Sequence, residues 1–262
     1  MPSKKIFAEF LIFIAFLGVI WAFFSMAPCS PQKILPEISI ADQEKLGKFF
    51  ADAITDNKKV NSKVVNEALI QIQKRLTDAI QDSEFTYKII PVYNEMVNAF
   101  ALPGGYIIVH SELLTLAETP EEVAAVLAHE IGHIERKHII KRMVVKLGLE
   151  VIKIILTGGD SRVINEAASM MAGNTFDQSQ EEDADEFALE LLLKAKIDPR
   201  NLATFFRRLS EEYEADLPES LQFFSTHPDT NERIQKALAY PVPKDFKEEP
   251  LKIKWSKVVN AL

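Results

Sequence analysis

The chain carries a single cysteine, Cys29, among 262 residues. That excludes an intrachain disulfide and a multi-thiolate zinc site, so any metal has to be held by histidine and carboxylate. Positive charge is also in short supply. Thirty Lys and Arg against 38 Asp and Glu leave a net charge of −8, without the basic surface that a phosphate backbone attracts, and no nucleic-acid partner is expected. Internal repeats and low-complexity segments are absent. With 47% hydrophobic and 26% charged residues the chain cannot be wholly disordered, and its length suffices for a real core. Histidine is scarce as well, five in all, and two of the five stand four residues apart.

Those two, His129 and His133, lie in the stretch Thr119 to His138, TPEEVAAVLAHEIGHIERKH. Its start is written as a helix start: Thr119 as cap, Pro120 at the first helical position and Glu122 completing a Thr-x-x-Glu capping box. Val123, Leu127, Ile131 and Ile134 then recur at spacings of three and four, which predicts an apolar stripe along one side. One turn apart, His129 and His133 project from nearly one face and can meet a single metal ion, while Glu130 is angled to reach a water rather than the metal. His138 falls about half a turn round from His129 on the same helix and is not expected to be a ligand. His110 reads as a partly exposed packing residue at a strand end.

At the amino terminus, Phe10 to Ala27 holds no charged residue and has membrane-spanning length. Pro28 follows where a signal would be cut, and it also stands before Cys29 where a lipoprotein site needs a small residue. Both favour an uncleaved anchor over a secreted or lipid-anchored form processed near Cys29. Lys4 and Lys5 place the start of the chain on the cytoplasmic side, so the rest faces the periplasm or exterior of a single-pass inner or cytoplasmic membrane protein. The expected organisation is an anchor over residues 1–29, a proline-containing linker over 30–40 and one domain over 41–262.

Within that domain, helices are predicted over Asp42 to Thr55 and Ser62 to Ile80, the second with the stripe Val65, Leu69, Ile72, Leu76 and Ile80. Phe85 to Val92, Tyr93 to Leu102 and, after Pro103-Gly104-Gly105, Tyr106 to His110 read as strands of a small antiparallel sheet, and Ser111 to Ala117 as a short helix. Ile139 to Leu156 is apolar, but Lys141, Arg142, Lys146, Glu150 and Lys153 argue against a second span. Arg142, Lys146, Glu150 and Lys153 mark a polar stripe on a helix whose other side packs on the core, a membrane surface or a partner. Further helices are expected over 161–172, Ser179 to Lys196, from Asp198-Pro199 to Glu214, and around Ile234 and Leu238. The tail 241–262 carries no legible role. The fold class is α+β, predominantly helical, with one amino-terminal transmembrane helix.

A catalytic zinc takes three protein ligands and keeps one position for water, so the two histidines need a partner. The acidic start of the Ser179 helix supplies it: Glu181 and Asp185 are four apart on one face, so one can bind the metal while the other orients a ligand histidine. Glu182, Asp183 and Glu186 point elsewhere and are expected in solvent.

NAFALPGGYIIV (Asn98 to Val109), the HEIGH core (His129 to His133) with Arg136 and His138, EEDAD (Glu181 to Asp185) and STHPDTNERI (Ser225 to Ile234) together resemble the HtpX and CaaX prenyl protease family of zinc metallopeptidases. The likeness is greatest to its single-anchor or periplasmic members. The resemblance implies a gluzincin-type domain with one zinc ion per chain, bound by His129, His133 and Glu181. It implies that Glu130 is the general base, that Asp185 is the acid behind the ligands, and that His227 reaches the site from a loop and acts in catalysis. Substrate would lie along Asn98, Ala99 and Phe100, and Arg233 would brace the His227 loop or make a surface salt bridge. The expected activity is that of a metalloendopeptidase acting on misfolded or membrane-associated proteins in quality control. The alternative is a zinc-dependent chaperone or assembly factor with little proteolysis.

Overall fold

Side-chain caps fix where the first helices begin. In the computed structural model, which describes residues 38–173, 175–212, 226–227 and 230–262, Ser39 Oγ accepts the Asp42 amide at the head of α1 (Ile40–Thr55). Ser62 Oγ does the same for Val65 ahead of α2 (Lys63–Thr77), whose Val65, Leu69, Ile72 and Leu76 are buried as the stripe predicts. Ile80 lies beyond the end of that helix.

Three strands follow, β1 (Lys88–Val92), β2 (Ala99–Leu102) and β3 (Tyr106–His110), in the order β1-β3-β2. The tight Pro103–Gly105 turn makes β2 antiparallel to β3, with Phe100 opposite Ile108. β1 is parallel to β3, with Ile90 opposite Ile108, so the sheet is mixed and the antiparallel expectation is corrected. The reason is topological: the chain leaves β1 without a hairpin and places β2 on the far side of β3, so β3 returns along the direction of β1. Pro91 is tolerated because β1 is an edge strand. Gly104 has φ 68°, and a Cβ there would lie 2.3 Å from Glu44 Cα, so the turn presses directly on α1.

Beyond the sheet come α3 (Ser111–Leu116) and α4 (Pro120–Glu135). Thr119 Oγ caps α4 by accepting the Glu122 amide, but the Glu122 carboxylate accepts from Glu118 N and pairs with Arg208, so the reciprocal half of the capping box does not close on the cap. Val123, Leu127, Ile131 and Ile134 are buried, and so is every residue from Glu122 to Ile134. The helix is central to the core rather than one-sided. It also stops short of His138: Lys137 adopts a left-handed conformation (φ 58°) and starts α5 (His138–Leu156).

α5 bends at Gly148, where φ is 76°. Lys146, Glu150 and Lys153 are exposed, whereas Arg142 is buried with its guanidinium 3.6 Å from the Phe176 ring centroid, which removes it from the expected polar stripe. Next are α6 (Ser161–Ala172), α7 (Gln178–Lys194), α8 (Asn201–Glu212), α9 (Thr230–Leu238) and α10 (Trp255–Val259). Asp177 and Gln180 form a complete capping box at α7. On α9 Ile234 is buried but Leu238 is exposed. Ile38–Leu262 forms one unit, mostly helical with its small mixed sheet. Among the described residues no helix is long and apolar enough to cross a membrane. The Phe10 to Ala27 run lies outside the described residues.

The tail has a structural role that its sequence hid. Trp255 is buried and donates Nε1–H to Ala117 O at 2.7 Å, and Leu251 N–H donates to Glu121 Oε1 at 2.7 Å, so the tail straps the entry to α4. Trp255→Ala should therefore cost about 3–5 kcal/mol in urea unfolding. An unchanged midpoint would show that the strap contributes nothing.

Candidate metal centre

Two helices meet unusually closely at the site. A Cβ on Gly132 of α4 would lie 2.8 Å from Ala184 O on α7, so the glycine permits a backbone approach that a side chain would block. That approach brings Glu181, in the first turn of α7, against His129 and His133, one turn apart on α4. The short 226–227 segment adds His227, and the candidate donor atoms of these four buried residues all lie within 4.8 Å of one another.

The separations are tight. His129 Nε2 is 3.1 Å from His133 Nε2 and 3.2 Å from His227 Nδ1. Glu181 Oε1 is 3.4 Å from His133 Nε2 and 2.9 Å from His227 Nδ1, and Glu181 Oε2 is 3.4 Å from His129 Nε2. Asp185 reaches the other side of the first ring, its Oδ1 2.9 Å from His129 Nδ1. Arg233 of α9 is buried, pairs with Asp185 through Nε at 2.6 Å and Nη2 at 2.8 Å, and touches Glu181 Oε2 through Nη1 at 2.7 Å. Of its two expected roles, the brace fits: Nη1 also donates to His227 O at 3.5 Å.

Glu130 is wholly buried. Its Oε2 accepts the Ala101 amide at 2.8 Å, while Oε1 has no hydrogen-bond partner and lies 3.5 Å from His227 Nε2. β2 is the outer strand beside this group. Asn98 O accepts from His110 N and Phe100 faces Ile108, so by strand alternation Ala99 and Ala101 turn their backbone groups outward, away from β3.

Electrostatics follow from burial and pairing. Desolvation would lower the His129 pKa, but hydrogen bonds to Asp185 and Glu181 outweigh it and hold it up at about 9. Burial pushes His133 well down and Glu130 up. For Glu181 burial works upward, yet the surrounding histidines hold it far below the carboxylate range. Asp185 is likewise brought down to about 2 by Arg233 against its burial. His129 thus stands between two carboxylates held in their anionic form, a place where a cation fits.

Other residues arrive that the sequence did not offer. Phe176 stacks on the His133 ring at 3.7 Å and sits under Arg142 on its other face, and its amide donates to Thr226 O. Nothing in its loop sequence signals this. His138 stays outside the donor cluster as expected, but the turn at Lys137 brings its Nδ1 within 3.1 Å of His133 Nδ1. Asp183, expected in solvent, is half-buried and pairs with Arg136 and His138. Glu182 and Glu186 are exposed as expected. His110 is buried, not partly exposed, with Nδ1 3.0 Å from Met96 O and outside the donor cluster.

An HExxH helix facing a glutamate from a later helix, with all donors buried, is the arrangement that the metallopeptidase motif calls for. The chain belongs to peptidase family M48, whose model matches residues 63–240. It is 29% identical over 248 residues to a Vibrio cholerae protein provisionally named a beta-barrel assembly-enhancing protease, covering 82% of this chain and 51% of that one. Metalloprotease LoiP of Escherichia coli is 32% identical over 176 residues, with 64% and 67% covered. The Escherichia coli beta-barrel assembly-enhancing protease is 23% identical over 218 residues, with 76% and 44% covered. The chain spans about half the length of the two assembly-enhancing relatives.

Gly132→Ala tests the close approach. Its new Cβ should force α4 and α7 apart, destabilising the metal-free chain by about 1–3 kcal/mol and weakening metal binding as Glu181 withdraws. Unfolding midpoint and metal affinity both unchanged would reject the constraint.

Proposed function

We propose that the chain is a membrane-anchored zinc metalloendopeptidase that hydrolyses peptide bonds of protein substrates, one zinc ion per chain, in protein quality control. The donor spacing carries this reading. Zinc–nitrogen and zinc–oxygen bonds of roughly 2.0–2.2 Å set tetrahedral edges of about 3.3 Å, and the His129, His133 and Glu181 atoms stand 3.1–3.4 Å apart. Imidazole and carboxylate without thiolate is the donor set of a catalytic zinc.

His129, His133 and Glu181 would hold the zinc, which would supply a Lewis acid for acidifying water and polarising a peptide carbonyl. Glu130 takes the proton of the attacking water at Oε1, the oxygen without a hydrogen bond, while the Ala101 amide holds Oε2 in place. As the carbon–nitrogen bond breaks, the same carboxyl returns the proton to the leaving amine. His227 occupies a fourth donor position, where a catalytic site keeps room for water. It has to turn outward for substrate to enter, and from its loop it can donate to the oxyanion. Asp185 and Arg233 orient His129 and balance the carboxylates. Substrate lies extended along Asn98, Ala99 and Phe100, pairing through the backbone groups that Ala99 turns away from β3, which gives main-chain bonds with little side-chain selectivity.

Casein digestion tests the activity: chelation should abolish it and zinc should restore it. Glu130→Gln should bind zinc as the parent does but cleave about 10²–10⁴-fold more slowly. Activity that survives zinc removal would sink the mechanism, and full turnover in the variant would reject the base. In the same preparations His227→Ala should retain its zinc and His133→Ala should lose it.

The anchor and the external location rest on the apolar run Phe10 to Ala27 behind Lys4 and Lys5. Added protease should digest the domain in spheroplasts and spare it in inverted membrane vesicles; the opposite pattern overturns this topology.

A further inference from the structure

His138 opens α5 directly after the left-handed residue Lys137, and that turn swings its imidazole back toward α4. It is buried, with Nδ1 3.1 Å from His133 Nδ1 and the two rings 5.2 Å apart at 65°. Its other nitrogen, Nε2, lies 3.3 Å from Asp183 Oδ2, and Asp183 Oδ1 takes Arg136 Nε at 3.0 Å. Four side chains from α4, its C-terminal turn, α5 and α7 are thus linked in a row that ends on one of the metal-facing histidines.

Two ring nitrogens 3.1 Å apart need one proton between them, so one ring donates and the other accepts. His133 Nε2 faces the donor cluster. A nitrogen that gives its lone pair to a metal leaves the ring proton on the opposite nitrogen, so His133 donates from Nδ1. His138 then accepts at Nδ1 and carries its own proton on Nε2, where Asp183 accepts it. With a proton on both Nδ1 atoms the rings would meet N–H against N–H.

We propose that His138 is a positioning residue that fixes His133 in its metal-binding tautomer and ring orientation through the hydrogen-bond chain His133 to His138 to Asp183, an inference that rests on His133 being a metal ligand. The two α4 histidines are held by different means. His129 meets the Asp185 carboxylate directly at Nδ1. His133 meets a neutral imidazole, and the carboxylate stands one residue further back. Asp183 and Asp185 are two positions apart on α7, about 200° round the helix, so the same helix cannot present both carboxylates to the two rings directly. His138 spans the difference.

Zinc titration of the full chain against a competing chelator tests this, in the parent, His138→Phe, His138→Asn and His133→Ala, with urea unfolding of each metal-free form alongside. His138→Phe fills the space without an acceptor and should weaken zinc binding about 10–100-fold. His138→Asn places an amide oxygen where Nδ1 stood and should recover most of that loss, with the two variants unfolding alike. Nitrogen NMR of the zinc-loaded parent, labelled at histidine, should show the His133 proton on Nδ1 and the His138 proton on Nε2. If His133→Ala loses zinc while His138→Phe binds it as the parent does, the positioning role fails and the ligand reading stands. If His133→Ala also binds zinc like the parent, both fail. Should His138→Phe not fold, the parent's tautomers decide, and a His138 proton on Nδ1 overturns the proposal.

Discussion

An ionised carboxylate that leaves water has to be matched by charge or by hydrogen-bond donors, and Glu181 and Asp185 do so at almost full burial. The unmatched cost is several kcal/mol per ion, so much of the surrounding architecture reads as the set of partners these acids require. α9 brings Arg233, which touches both carboxylates. α4 brings the imidazoles, and β2 gives the buried Glu130 one backbone amide. Without the close passage of α7 over Gly132 the acids and their partners would not share a site. Arg233 is the partner least easily spared, because its single guanidinium touches both carboxylates.

The local signals in the sequence were those with a short physical range. The helix start at Thr119, the pairing of His129 with His133 on one face and the shared face of Glu181 and Asp185 all follow from the period of a single helix, and each stands in the structure. What failed depended on phase or topology. His138 lies outside the donor cluster, as its expected angle from His129 implies, but α4 stops at Lys137, so the period of one helix says nothing of its contact with His133 Nδ1. The period of one helix puts Asp183 in solvent and Arg142 on a polar stripe, because it ranks the faces of that helix and is blind to a second element passing over the polar face. Asp183 meets Arg136 and His138 there, and Arg142 meets Phe176. The parallel pairing of β1 with β3 was illegible for a related reason: strands in sequence order suggest hairpins, and nothing local says that β2 takes the far side of β3.

β2 joins the sheet to the chemistry in a way the motif alone does not convey. A strand at the rim of a sheet has one row of backbone groups committed inward and one row turned outward. Here the outward row begins beside Glu130, and one of its amides, on Ala101, is used to steady that carboxylate. The bond leaves Oε2 occupied and Oε1 without a partner, so the carboxylate is oriented and not merely buried. Burial alone raises its pKa and makes it a better proton acceptor. The amide then decides which oxygen faces the donors.

Side-chain length resolves the choice that composition left between the two acids of α7. Glu181 and Asp185 share a face and both approach His129, but they meet opposite edges of its ring. Glu181, a methylene longer and one turn nearer the helix start, reaches the inner edge, where the Nε2 atoms of His129 and His133 converge. Asp185 stops at the outer nitrogen, where a hydrogen bond can set the tautomer but no metal facing both histidines could be reached. Arg233 spans the two carboxylates and so ties the inner and outer positions to one guanidinium. Exchanging the two acids would keep the charge and the helix face and still lose the site, because each length matches one edge of the imidazole.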